Sequence, residues 1–210
     1  MSAKQLLEAL FEADRKLRDA EELLFAQADT EELSKALERA TDVALGMTDQ
    51  REAVAQLVRL SDLCAQVQGA RMADALVRIL NHDEPEVRLA AGEALRDFAY
   101  DRYAEVARAL ERALEKELEG PALEEIPWIL AEVAEPSALP LIGRCLSHKS
   151  AEVVASAIEA LAELGDPEAE PLLKKLVKDK RVVSLEEGGA SYSTTLGELA
   201  AEAIAELSGG

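Results

Sequence analysis

The chain has 210 residues, 49% of them hydrophobic and 31% charged, with 42 acidic against 23 basic side chains and a formal net charge of −19. That balance excludes a disordered chain and sets the surface against nucleic acid, because neutralising phosphates needs a basic face. Aromatics are only 3%, and a chain dominated by alanine, leucine and glutamate is expected to be all-helical, since strands draw on β-branched and aromatic residues.

Taken from the start, MSAKQLLEALFEADRK reaches charge too early for a signal peptide. No apolar run approaches ~18 residues, so no membrane partner is expected. Residues 2–27 read as one long amphipathic helix with Leu6, Leu10, Leu17 and Leu24 near one side. Asp29 with Glu32 opens a second helix that Gly46 ends, and Asp49 with Glu52 opens a third running to about Val67. Residues 1–47 are expected to form a helical cap, with self-association through the first helix as the other role for it. Cys64 and Cys145 sit in apolar helical patterns without CxxC spacing and read as buried free thiols of a cytoplasmic protein.

Beyond residue 48 the sequence repeats itself. HDEPEVRLAAGEAL (His82 to Leu95) lies over HKSAEVVASAIEAL (His148 to Leu161), and ALVRILNHD (Ala75 to Asp83) over LIGRCLSHK (Leu141 to Lys149). A degenerate copy, EEIPWILAEVAEPSALPLIGRCL, matches SAIEALAELGDPEAEPLLKKLV, placing Ala134-Glu135-Pro136 on Gly165-Asp166-Pro167. The period is about 31 residues, and five first helices align, the last in TLGELAAEAIAEL (Thr195 to Leu207). Each unit reads as a helical pair. In the clearest, Val154, Ala157, Leu161 and Leu164 form the first apolar stripe. Gly165 suits a left-handed cap, Asp166 an N-cap and Pro167 a first turn. The second helix carries Leu172, Leu173, Leu176 and Val177. No single pair can bury both stripes, so the copies must stack.

The motifs EPEVRLAAGEAL and LGDPEAEPLLKKLVKD, with their Asp-Pro turn and VR…AA…AL helix, resemble the HEAT-repeat superfamily, especially the bacterial phycobilisome-lyase type. The resemblance covers roughly residues 50–207. It implies an all-α, right-handed α-α solenoid over residues 48–210 with an N-terminal helical cap. On function it implies little, since such repeats serve adaptors, lyase-type chaperones and glycosylases alike. The iron-binding His-Glu dipeptides of HEAT-type hydroxylases are missing: Asp83 follows His82, and Lys149 follows His148.

Within the last repeat, residues 182–194 form an insertion in which Gly188-Gly189 signals a turn, so a small hairpin or protruding loop is expected. Thr195 with Glu198 then caps the final helix. No nucleophile elbow, phosphate loop or zinc-spaced cluster occurs, and the carboxylate pairs Glu124-Glu125 and Glu186-Glu187 read as solvated charge. The expectation is therefore a non-enzymatic adaptor without catalytic residues, metal or cofactor, binding another protein. An accessory factor of the bilin-lyase or enzyme-maturation kind is the alternative.

Two surfaces are candidates. Lys174, Lys175, Lys178, Lys180 and Arg181 on the last second helix and the turn after it, with Arg144 and Lys149 from the unit before, would make a positive strip on the concave face, suited to an acidic segment. Trp128 aligns with Asp62, Glu93, Glu159 and Glu202 and is expected on the convex face, unless Pro127 kinks its helix. Tyr192, in the insertion, completes the candidate set.

Overall fold

The computed structural model describes residues 2–116, 118, 120–133, 137–187 and 190–209, without the side chains of residues 186, 187, 190 and 209. The Ala134–Pro136 turn, the Gly188-Gly189 turn and the Glu186-Glu187 carboxylates of the sequence reading therefore lie outside the described residues. The elements are α1 (Ala3–Gln27), α2 (Thr30–Leu45), α3 (Gln50–Ala65), α4 (Ala70–Leu80), α5 (Pro85–Glu115), α6 (Ala122–Val133), α7 (Ala138–Cys145) and α8 (Ala151–Leu164). A 3-10 turn (Pro167–Ala169), α9 (Glu170–Leu173), strands β1 (Val182–Glu187) and β2 (Ala190–Thr195) and α10 (Leu196–Gly209) complete the chain.

The helices stack in two rows. First helices α3, α5, α6, α8 and α10 pack each on the next, while α2, α4 and α7 belong to the second row. One continuous core lies between the rows, from Leu33 and Leu37 through Leu76, Phe98, Leu123 and Leu161 to Leu196 and Ala203. The fold is an α-α solenoid in which each pair buries its stripes only against its neighbours.

Local chemistry sets most boundaries. Asp29 and Asp49 each accept the amide three residues on, at 2.8 and 3.2 Å from Glu32 and Glu52. Thr195 and Glu198 form the reciprocal box: the Thr195 hydroxyl accepts the Glu198 amide at 3.2 Å, and Glu198 accepts the Thr195 amide at 3.0 Å. Gly165 takes φ 67°, the left-handed cap, and Asp166 accepts the Glu168 amide at 2.8 Å. The buried hydroxyls of Ser34, Thr41 and Ser61 bond back to carbonyls four residues earlier. Both cysteines are buried and free, and burial pushes each thiol up to about 12.

Three features depart from the sequence reading. α5 merges two helices across a bend at Arg102 (φ −141°, ψ 42°), where no glycine or proline stands. The Arg102 guanidinium lies 4.8 Å from the Phe98 ring centroid and donates to the Ala65 carbonyl at 3.4 Å, so a cation–π contact and a tie to the preceding unit hold the bend. The second helix of the last full repeat is cut short. Pro171 lacks an amide, α9 ends at Leu173, and Lys175 and Leu176 bond to carbonyls three residues back. Of that helix's expected stripe, Leu173 is buried, Leu172 and Leu176 are half-buried, and Val177 is exposed.

The third departure is α1. Capping by residues 1–47 falls to α2, which packs on α3 and α4. No residue of α1 is buried; only its last turns, with Leu24, Phe25 and the following Ala28, touch the core.

Candidate functional site

The second-helix side of the solenoid carries a ladder of ion pairs in which each arginine reaches back to the preceding unit. Arg71 and Arg78 on α4 engage Glu38 and Asp42 on α2. Arg112, in the second half of α5, donates twice to Asp74 on α4, at 3.0 and 2.7 Å. Arg144 on α7 reaches Glu111 and Glu115 on α5, at 3.2 and 3.4 Å. Sequence reading missed the ladder. Its signal is an acid roughly one repeat before an arginine, a spacing hidden by uneven unit lengths.

The ladder stops after α7. That helix, ALPLIGRC, contributes an arginine but no carboxylate. Asp74 stands four residues before Arg78 on α4, whereas the equivalent place four before Arg144 is Pro140. The next basic group, on the α9 segment, therefore has no acid to reach back to. Lys175, Lys178 and Lys180 are exposed and make no ion pair among the described residues. Val177, 42% exposed, stands among them.

Three predicted members of the positive strip are engaged elsewhere. Arg144 is a rung of the ladder, and Lys174 pairs with Glu170 one turn back at 2.5 Å. Arg181, also counted in the strip, is bidentate to Asp179 and donates to the His148 and Lys149 carbonyls at 2.9 and 3.3 Å. The pairing holds the Asp179 carboxyl below its ordinary range. Arg144 and Lys149 do meet, around a pocket of about 290 Å³ that Ser147 and His148 also line.

The histidines sit at equivalent turns and do equivalent work. His82 Nδ1 accepts the Glu84 amide and His148 Nδ1 the Ser150 amide, both at 3.1 Å. Arg88 then donates to the His82 and Asp83 carbonyls much as Arg181 does one motif later. A ring nitrogen that accepts carries no proton there, so each histidine helps start the next helix through its lone pair. Among the described residues no group of His, Cys, Asp and Glu is placed to hold a metal ion.

The aromatic candidates lie on the first-helix side. α6 runs unbroken through Pro127, which is itself buried, so the repeat register holds. Trp128 is 38% exposed, in a column whose members Asp62, Glu93 and Glu202 are exposed and whose Glu159 is half-buried. Burial pushes the Glu159 carboxyl up. The insertion is an antiparallel hairpin with Leu185 opposite Tyr192. Tyr192 overlooks a groove of about 520 Å³ between α8 and α10, walled by Ile158, Glu159, Leu199 and Glu202. The seven candidate residues thus fall on two surfaces, not one.

Among known proteins, the family model for HEAT repeats matches residues 122–186. The match extends to HEAT repeats at large and not to the phycobilisome-lyase type. Of the curated proteins, none matches the chain. Solved structures similar to it include an engineered protein at 17% identity, over 91% of this chain and 97% of that one, with a TM-score of 0.38. A designed armadillo repeat protein is 19% identical over 88% and 97% of the two chains, with a TM-score of 0.34. Computationally designed armadillo repeat proteins for modular peptide recognition are 17% identical over 85% and 94%, with a TM-score of 0.33. No helix among the described residues is long and apolar enough to cross a membrane.

Proposed function

We propose that this protein is a non-enzymatic scaffold that binds an acidic, partly apolar segment of another protein on the second-helix side, at Lys175, Lys178 and Lys180. One observation carries the reading: Arg71, Arg78, Arg112 and Arg144 along that side are each matched by a carboxylate of the preceding unit, and α7 supplies none for the segment that follows. The lysines that follow make no ion pair among the described residues and stand beside an exposed valine. A partner carboxylate takes the place of the missing rung, and Val177 gives its aliphatic neighbours a contact. Arg144, Lys149 and Lys174 surround the site as secondary positive charge, their own partners notwithstanding. Trp128 and Tyr192 belong to a separate surface on the first-helix side. No feature of the described residues favours the lyase-type alternative.

The test uses a fluorescent peptide of alternating glutamate and leucine at low ionic strength. Reversing Lys175, Lys178 and Lys180 to glutamate is expected to weaken its binding at least tenfold while leaving thermal unfolding nearly unchanged. Unaltered binding removes the site.

A further inference from the structure

Beyond that reading, the exposed first helix points to a partner of its own. We propose that the N-terminal arm, residues 3–20 of α1, pairs antiparallel with the same arm of a second copy of this chain. α1 is 25 residues long, about 37 Å at 1.5 Å per residue, yet it buries no residue. Leu6, Leu7, Leu10, Phe11, Leu17 and Leu23 are 49 to 62% exposed. Of these, Leu6, Leu10 and Leu17 share one face with Leu7 at its edge, and together present on the order of 400 Å² of apolar surface, as large as a monomer's largest patch. Two arms together reach about 800 Å², the size of a weak, concentration-dependent interface.

The spacing names the occupant. Ala3, Leu6, Leu10, Ala13, Leu17, Ala20 and Leu24 alternate in steps of three and four, the 3.5-residue repeat that winds one helix against another. Local pairs outside the stripe hold the arm helical without a neighbour. Ser2 and Gln5 form a reciprocal capping box, and Lys16 pairs with Glu12 at 2.7 Å and Arg18 with Asp14 at 3.3 Å. A lipid surface fits poorly, because the arm's charges balance, Glu8, Glu12, Asp14 and Asp19 against Lys4, Arg15, Lys16 and Arg18, and leave no net positive charge to draw it to anionic headgroups.

Orientation follows from where the stripe is already used. Leu24 packs against the molecule's own core, and Glu21 accepts from Arg59 and Gln66 on α3. A parallel seam would need both positions and would bring two solenoids onto one side of it. An antiparallel seam needs only residues 6 to 17. It sets Leu6 against Leu17 of the second copy and Leu10 against its Ala13, a large residue over a small one. The flanks then place Leu7 near Asp14 and Ala9 near Lys16, so no like charges face each other.

Sedimentation equilibrium of the full chain, over about 1–200 µM, should show the mass doubling with concentration. The double variant Leu10→Glu, Leu17→Glu should stay monomeric with the unfolding midpoint of the solenoid unchanged. A wild-type chain monomeric throughout, a dimer that survives in the variant, or a monomer that instead sediments with phosphatidylcholine–phosphatidylglycerol vesicles would each overturn the proposal. Cysteine pairing reads the orientation, since Cys64 and Cys145 are buried and silent. A mixture of Leu6→Cys and Leu17→Cys chains should oxidise to the mixed dimer. Faster self-linking of Leu6→Cys alone would overturn the antiparallel seam. None of these readouts involves the lysines, so failure here leaves the peptide site standing.

Discussion

Along the second-helix side, the stretch from α2 to α7 and the α9 segment carry the same kind of charge and use it differently. In the first stretch Arg71, Arg78, Arg112 and Arg144 are each matched by a carboxylate of the unit before, so their charge is absorbed into holding repeats together. In the second, Lys175, Lys178 and Lys180 follow a helix without acids and remain available. The contrast shows that a basic residue's repeat position does not decide whether it can bind a partner. What decides is whether the preceding helix supplies its counterion.

The comparison breaks most forcefully where the lysine turn is fixed to α10. A Cβ on Gly197 would meet the backbone oxygens of Val177 and Asp179 at 2.9 Å each. Gly197→Ala should therefore cost about 1–3 kcal/mol and displace the turn, lowering both the unfolding midpoint and peptide affinity. An unchanged midpoint would mean that the turn and α10 are not locked together. Next in size, Pro140→Asp builds the missing rung. Register puts the new carboxylate about one repeat before the lysines, and peptide binding should fall roughly three- to fivefold, the scale of one exposed ion pair. Peptide binding equal to wild type would show that the lysines do not reach back as the arginines do.

Removing an existing rung has a smaller and different consequence. Arg112→Ala should lower stability by about 0.2–1 kcal/mol, because both partners are partly exposed, and leave peptide affinity alone. A loss of affinity instead would merge the two regions into one site. The least effect is a pH dependence. Arg181 depresses the Asp179 carboxyl in the folded state, so its contribution is complete above the unfolded value near 3.9. It disappears as pH falls through the lower folded value. The midpoint difference between wild type and Asp179→Asn should thus be constant from pH 5 to 7 and shrink as pH falls below the unfolded value. A gap that widens on acidification would contradict the assignment.

The repeat and its punctuation were readable because glycine, proline and capping residues act locally. Gly165-Asp166-Pro167, Asp29, Asp49 and Thr195 all do in the fold what their chemistry requires. The bend at Arg102 was not readable, since it is held by Phe98 and a carbonyl of the neighbouring unit rather than by its own backbone preference. Similarly, nothing in the lysines themselves says which are engaged; that depends on Glu170 and on the acid-free α7. The apolar spacing of α1 reads the same whether its stripe is covered or bare. Only the packing of α2 onto α3 and α4 shows that the end of the solenoid is closed without it.

The rungs also have a direction. Each unit from α4 to α7 hands an arginine backward, and those before α7 also leave an acid for the unit that follows. Such a chain has a grammar: a duplicated α4 or α5 unit could be read onward indefinitely, because it both answers the unit behind and addresses the one ahead. α7 answers but addresses no one. It works as a full stop in an otherwise extendable sentence, and the lysines after it are the first words spoken to another molecule.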